Sequence, residues 1–242
     1  MKVGLAQVRS ETGAVGRNVR RHLSALRRLD PSAADLIVFP ELSLSNYDPG
    51  VAAASALSPE DGRLDPLRAF ADESGVAVAV GAPLAAEGRP QIAALVFVPG
   101  GPPVVVGKRW LHEDEAPFFS PAAPGVSVLG LAVPVGVAIC YEVTVAAHAA
   151  ALVEAGAAVY VASVAKTPRG VTAARAALSE TARRHRIPAL MANSVGTCEG
   201  EPAGGGSMVI GREGRLLRQL NGSDEAVLVY DTEDEATTVW AV

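Results

Sequence analysis

Short apolar runs alternate with helix-patterned segments along almost the whole chain, and this alternation points to an α/β fold. "KVGLAQV" is followed by "GRNVRRHLSALRRLD", in which Val19, Leu23, Leu26 and Leu29 recur at helical spacing, and then by "DLIVFPE". The order reads as strand, helix, strand. A helix is expected over "LDPLRAFADES", then strands in "GVAVAVGAP", "QIAALVFVPGG" and "VVVGK". "VSVLGLAVPVGVAIC" reads as two strands joined by a turn near Pro134, and "AAHAAALVEAG" as a helix closed by Gly156. After a strand in "AAVYVASV", Thr167 and Pro168 supply an N-cap and first helical position for "TPRGVTAARAALSETARRHR". Strands in "IPALMANS", "GGSMVIG" and "EAVLVYD" follow.

The chain has 242 residues, 49% of them hydrophobic and 19% charged, enough to bury a sizeable core. With no linker or low-complexity tract, residues 1–242 are expected to form one α/β domain. Its long apolar stretches are interrupted by Glu142, His148, Glu154 or glycine, so none reads as a membrane span. "MKVGLAQVRSETG" meets Arg9 and Glu11 too early for a secretory signal, which argues for the cytoplasm. A net charge of −5 and no basic tract give nucleic acid little to hold. The two cysteines, Cys140 and Cys198, are expected to be free thiols. Cys198 lies in a loop with no His or Cys at metal-ligand spacing.

In α/β sheets, reactive groups collect beyond the carboxyl ends of strands. Glu41 follows "DLIVFP", Lys108 follows "VVVG" and Cys140 follows "VGVAI". Taken singly, they are a capping carboxylate, a strand-end cation and a small buried thiol. Their joint placement suggests chemistry. Positive charge here is almost all arginine, with lysine only at positions 2, 108 and 166. A compact ammonium after "VVVG" can press against a developing oxyanion in a way a spread guanidinium cannot.

In that order, "IVFPELSLSNY", "GKRWLHEDEAPFF" and "GVAICYE" resemble the three catalytic signatures of the nitrilase superfamily of carbon–nitrogen hydrolases. "ANSVG", "GGGSMVIGREGRLL" and "AVLVYD" extend the resemblance to the end of the chain. It implies a four-layer α-β-β-α sandwich, commonly a homodimer or larger homo-oligomer. It maps Glu41, Lys108 and Cys140 onto a Glu-Lys-Cys triad, and Glu115 onto a second glutamate that orients lysine and substrate. A thiol attacks only as thiolate and needs a base or a positive field, which Glu41 and Lys108 would supply.

The implied substrate is a small amide or N-carbamoyl compound, cleaved through a Cys140 thioester with no metal or organic cofactor. Nitrile hydrolysis or acyl transfer by the same triad is the alternative within the family. Expected substrate-binding residues are Tyr141, Tyr47, Trp110, Lys166 and Asn193. Lys166 is a candidate for a substrate carboxylate. Glu142 is expected to support the turn after the nucleophile or the start of the following helix. After "CYE" the chain departs from many relatives, with Val143, Thr144, Val145 and Ala146 in place of a charged or aromatic residue and a proline.

Three other readings are weaker on the residues themselves. A papain-like hydrolase would need one of His22, His112, His148 or His185 beside Cys140, and none has a supporting signature. A serine hydrolase lacks the strand–elbow–helix setting at "GGGSMVIG". A non-catalytic relative would carry a buried lysine and glutamate as an unused burden on stability.

Overall fold

The computed structural model describes all 242 residues. The first half comprises β1 (Lys2–Gln7), α1 (Val15–Leu26), β2 (Leu36–Val38), α2 (Ala52–Ser55), α3 (Asp65–Ser74), β3 (Ala77–Leu84), β4 (Gln91–Phe97) and β5 (Val104–Gly107). The second half continues with β6 (Val128–Leu129), β7 (Val135–Ile139), α4 (Ala146–Glu154), β8 (Val159–Val164), α5 (Pro168–His185) and β9 (Ala189–Asn193). It ends with β10 (Thr197–Cys198), β11 (Glu201–Pro202), β12 (Met208–Ile210), β13 (Leu216–Gln219), β14 (Ala226–Asp231) and β15 (Thr237–Ala241).

These strands form a seven-stranded sheet, β15-β14-β1-β2-β3-β4-β5, a six-stranded sheet, β13-β12-β9-β8-β7-β6, and the small hairpin β10-β11. Side chains alternate across a strand, so each central strand feeds two cores. In β3, Val78, Val80 and Ala82 join α1 and α3 in one core, while Ala77 and Ala79 face the other sheet. In β8, Val159 and Val161 enter that same middle core, while Tyr160, Ala162 and Val164 pack beneath α4 and α5. Three apolar layers separate four layers of secondary structure, giving the α-β-β-α sandwich. Strands buried on both faces need no polar side, which is why they read in the sequence as continuous apolar runs.

The helices carry their own local signals. Thr167 caps α5 by accepting from the Gly170 N–H, with Pro168 as its first residue. Gly75, in the left-handed conformation, closes α3. Gly136 lets α4 approach β7, since a Cβ there would lie 3.2 Å from the Leu152 Cβ. No helix is long and apolar enough to cross a membrane.

Strand direction then fixes where the loops emerge. β1, β2 and β3 are parallel, and two antiparallel steps bring β5 back to their direction. The segments carrying Glu41 and Lys108 therefore leave the first sheet at the same edge. In the second sheet β7, β8 and β9 are parallel, so Cys140, Lys166 and Asn193 lie at or just beyond three neighbouring strand ends.

Candidate active site

Glu41 sits three residues beyond β2, after the buried Phe39 and Pro40. Its backbone lies directly on β3 because residue 81 is glycine. A Cβ on Gly81 would come within 2.3 Å of the Leu42 nitrogen and 2.4 Å of the Pro40 oxygen. Leu42 has φ of 50°, a left-handed turn that swings the chain past the carboxylate. From the second sheet, the Ser163 hydroxyl donates to the Phe39 carbonyl at 2.8 Å and ties the glutamate's approach to β8.

Lys108 is fully buried, and its ammonium donates to Glu41 Oε1 at 2.8 Å and Glu115 Oε1 at 2.6 Å. An ammonium has three N–H bonds, so one remains for another acceptor. Glu115 has no comparable reserve. Its Oε1 also accepts from the Tyr47 hydroxyl at 2.9 Å, and its Oε2 from the His112 N–H at 2.8 Å. Glu41 keeps a free atom: buried Oε2 has no hydrogen-bond partner within the fold. A buried acceptor left open is uncommon and costly unless something else uses it.

Cys140 ends β7 and opens a 3-10 turn over Cys140–Thr144. Its φ of 46° is strained for a residue with a Cβ, and the strained turn projects the thiol beyond the sheet edge. The Sγ lies 3.9 Å from the Ala165 carbonyl oxygen, and the thiol also acts on the Glu41 carboxylate.

Two carboxylates and one ammonium, all buried, determine the protonation of the cluster. Burial raises Glu41; Lys108 opposes the rise and the charge of Glu115 adds to it. For Lys108, burial is the largest influence and favours the neutral amine. Glu41, Cys140 and Glu115 together outweigh it and hold the proton on. Cys140 is pushed up to about 11, first by burial and then by Glu41, against the pull of Lys166 and Lys108. The resting thiol is therefore protonated beside a carboxylate of raised basicity and a fixed positive charge.

Behind the nucleophile, buried Glu142 joins the two sheets. Its Oε2 accepts from the Ile139 N–H at 2.8 Å, and its Oε1 from the N–H groups of Arg109 at 2.7 Å and Trp110 at 3.3 Å. One carboxylate thus fixes the residue before the cysteine and the two after the lysine. Sequence spacing suggested the first task and gave no sign of the second.

Tyr47 and Asn193 have tasks within the fold that the sequence did not indicate. Tyr47 supports Glu115, to which its hydroxyl donates. Burial, followed by the charges of Glu41 and Glu115, raises its pKa and keeps it a donor. Asn193 is fully buried, with both amide hydrogens donated to the carbonyls of Lys166 at 3.1 Å and Gly205 at 2.7 Å. Its Oδ1 accepts from the Lys166 N–H at 2.8 Å, so it shapes the strand end and has no free donor for a ligand. Trp110 is sandwiched, with the Arg109 guanidinium 4.5 Å from its ring centroid and His148 edge-on at 5.2 Å. Tyr141 is 37% exposed and Lys166 partly exposed. No three or more His, Cys, Asp or Glu side chains gather as metal ligands.

A strained thiol beside a carboxylate and a buried ammonium defines a cysteine-dependent hydrolase. The carbon-nitrogen hydrolase family profile matches residues 2–241, and the chain belongs to that family. An (R)-stereoselective amidase from Pseudomonas sp. is 30% identical over 235 residues, covering 96% of this chain and 85% of that protein. A glutamine-dependent NAD(+) synthetase from Xylella fastidiosa is also 30% identical over 96% of this chain, which spans only 44% of that longer protein. Among solved structures, an amidase from Nesterenkonia sp. AN1, with acrylamide added to its active-site cysteine, superposes with a TM-score of 0.87. It is 24% identical, with 97% of this chain and 94% of that one covered, and shares the fold.

Proposed function

We propose that the protein hydrolyses small amides or N-carbamoyl compounds, using Cys140 as nucleophile, Glu41 as general base and acid, and Lys108 as oxyanion donor. One observation carries the reading: Lys108 holds Glu41 by one oxygen and leaves the other open in the neighbourhood of the thiol.

Cys140 Sγ attacks the amide carbon as Glu41 Oε2 takes the thiol proton. The carbonyl oxygen becomes an oxyanion, met by the third N–H of Lys108 and the backbone N–H of Tyr141. Each well-aimed donor of this kind contributes about 3 kcal/mol. Protonated Glu41 gives its proton to the nitrogen, the C–N bond breaks, and ammonia or an amine leaves a thioester on Cys140. Glu41 then deprotonates water, which attacks the thioester and releases the carboxylic acid while the thiolate regains a proton. Glu115, held by Tyr47 and the His112 N–H, keeps Lys108 aimed.

The Pseudomonas amidase supports the choice of amides over nitriles. A cytoplasmic homo-oligomer completes the reading. Two unpaired thiols suit a reducing compartment, and the Ala-rich α4 suits close helix packing between subunits. The test is ammonia release from a panel of small amides, ureido acids and nitriles, with trapping of an acyl adduct followed by mass spectrometry. Product formation at the same rate in Cys140→Ala would refute the mechanism.

A further inference from the structure

Two of the three lysines have partners within the fold and one does not. Lys2 donates to the Ser32 carbonyl and Lys108 to two carboxylates, whereas Lys166 Nζ has neither an ion-pair nor a hydrogen-bond partner within the fold. Its place in the chain is nevertheless fixed. The Lys166 N–H and carbonyl are both held by the Asn193 side chain, and Gly204 N–H adds a 2.7 Å bond to the same carbonyl. Gly170 leaves room for the stem: a Cβ there would come 3.2 Å from the Lys166 Cβ. Ala165, the preceding residue, places its carbonyl oxygen 3.9 Å from the nucleophilic sulfur. A positive side chain is thus anchored by its backbone one residue from the thiol contact, partly exposed and without a counter-ion.

The anchoring is of the backbone, and it fixes where the lysine stem leaves the chain. Here three hydrogen bonds and a glycine stabilise one backbone position at the end of β8, where β7 and β8 present their ends side by side. Glu41 and Glu115 also exceed Lys108 by one negative charge, so a cation beside the site offsets the repulsion an anionic ligand would meet.

We propose that Lys166 is a specificity-determining residue that binds a carboxylate on the acyl chain of the substrate, so that the preferred substrates are monoamides of small dicarboxylic acids. The inference rests on the amidase reading and names its substrate class. A carboxylate would supply the counter-ion that Lys166 lacks and turn the acyl chain so that its amide carbon faces Cys140.

The experiment compares kcat/KM for succinamate with that for its uncharged isostere 4-methylpentanamide in the wild type, Lys166→Arg and Lys166→Met. Charge-assisted recognition is expected to favour succinamate about 10- to 100-fold in the wild type. Lys166→Arg should retain part of that ratio, and Lys166→Met should bring it close to unity. Succinamate binding to Cys140→Ala protein, measured by calorimetry, gives a second readout that needs no turnover; adding Lys166→Met should weaken it by a similar factor. A wild-type ratio near one, or a ratio unchanged in Lys166→Met, overturns the proposal even if both amides are hydrolysed. If neither amide turns over, the amidase reading fails, and Lys166-dependent binding still decides the recognition.

Discussion

Gly81 and Glu41 are in backbone contact: a Cβ at residue 81 would stand 2.8 Å from the carbonyl carbon of Glu41. That contact lets the carboxylate leave β2 and still lie flat against β3. Gly81→Ala is expected to displace residues 40–42, cost about 1–3 kcal/mol through overpacking and lower kcat at least tenfold. Thermal unfolding and steady-state kinetics on the same preparation check it. An alanine variant with native kcat would show that the carboxylate is not positioned this way.

Glu41→Gln should move two readouts in opposite directions. Burial and then the Glu41 charge hold Cys140 up at about 11, so neutralising Glu41 lets the thiolate form at lower pH. Iodoacetamide alkylation of Cys140 in the wild type should rise tenfold per pH unit toward about 11, with its midpoint shifted down in the variant. Amide hydrolysis should fall by about 10²-fold or more for want of a proton carrier. Parallel movement of the two rates would count against the assigned base.

Glu142 tests the link between the two loops. Glu142→Ala leaves the N–H groups of Ile139, Arg109 and Trp110 without their acceptor, at about 1–3 kcal/mol for the buried Ile139 and less for the part-buried other two. Glu142→Gln retains an acceptor for one side only and should fall between. The expected pattern is a graded loss of both melting temperature and kcat. Full activity in the alanine variant at a temperature where it is folded would sever the link drawn here.

His22 gives the fold a pH dependence. It is fully buried, stacked on Phe39 at 4.1 Å, with Nε2 2.9 Å from the Ser43 hydroxyl. Burial depresses its pKa from 6.5 to about 3. Between those values the unfolded chain takes up a proton that the folded chain does not, so this contribution is present above pH 6.5 and lost as pH falls toward 3. The stability advantage of wild type over His22→Gln should narrow by up to about 1.4 kcal/mol per pH unit across that window, as followed by urea unfolding. A constant difference between pH 7 and pH 4 would show that His22 is not held neutral.

The strands buried on both faces were legible because burial on two sides leaves nearly all residues apolar, as in β3, β7 and β8. Thr167 and Pro168 announced α5 just as plainly. β13 and β15 do not read as strands in the sequence: Leu216–Gln219 and Thr237–Ala241 are half-exposed edges, each paired on one side only with the strand just before it, so neither shows the apolar run of a buried strand. β12 begins later than "GGSMVIG" suggests, because Gly205 and Gly206 adopt positive φ and turn the chain first. Glu41, Lys108 and Cys140 could be found because strand ends are a local feature. Gly81, the support Tyr47 gives Glu115 and the wider task of Glu142 could not, since each depends on a neighbour brought in by folding; Tyr47 reaches Glu115 across 68 residues.

The parts of the site are mounted on two separate sheets, the carboxylate and ammonium on one and the sulfur on the other. The gap between them is set by the thickness of the apolar layer that holds Leu42, Val106, Val137 and Ile139. A methyl group added or removed there works as a shim between opposing jaws, so residues that never meet a ligand can tune how fast bonds are exchanged.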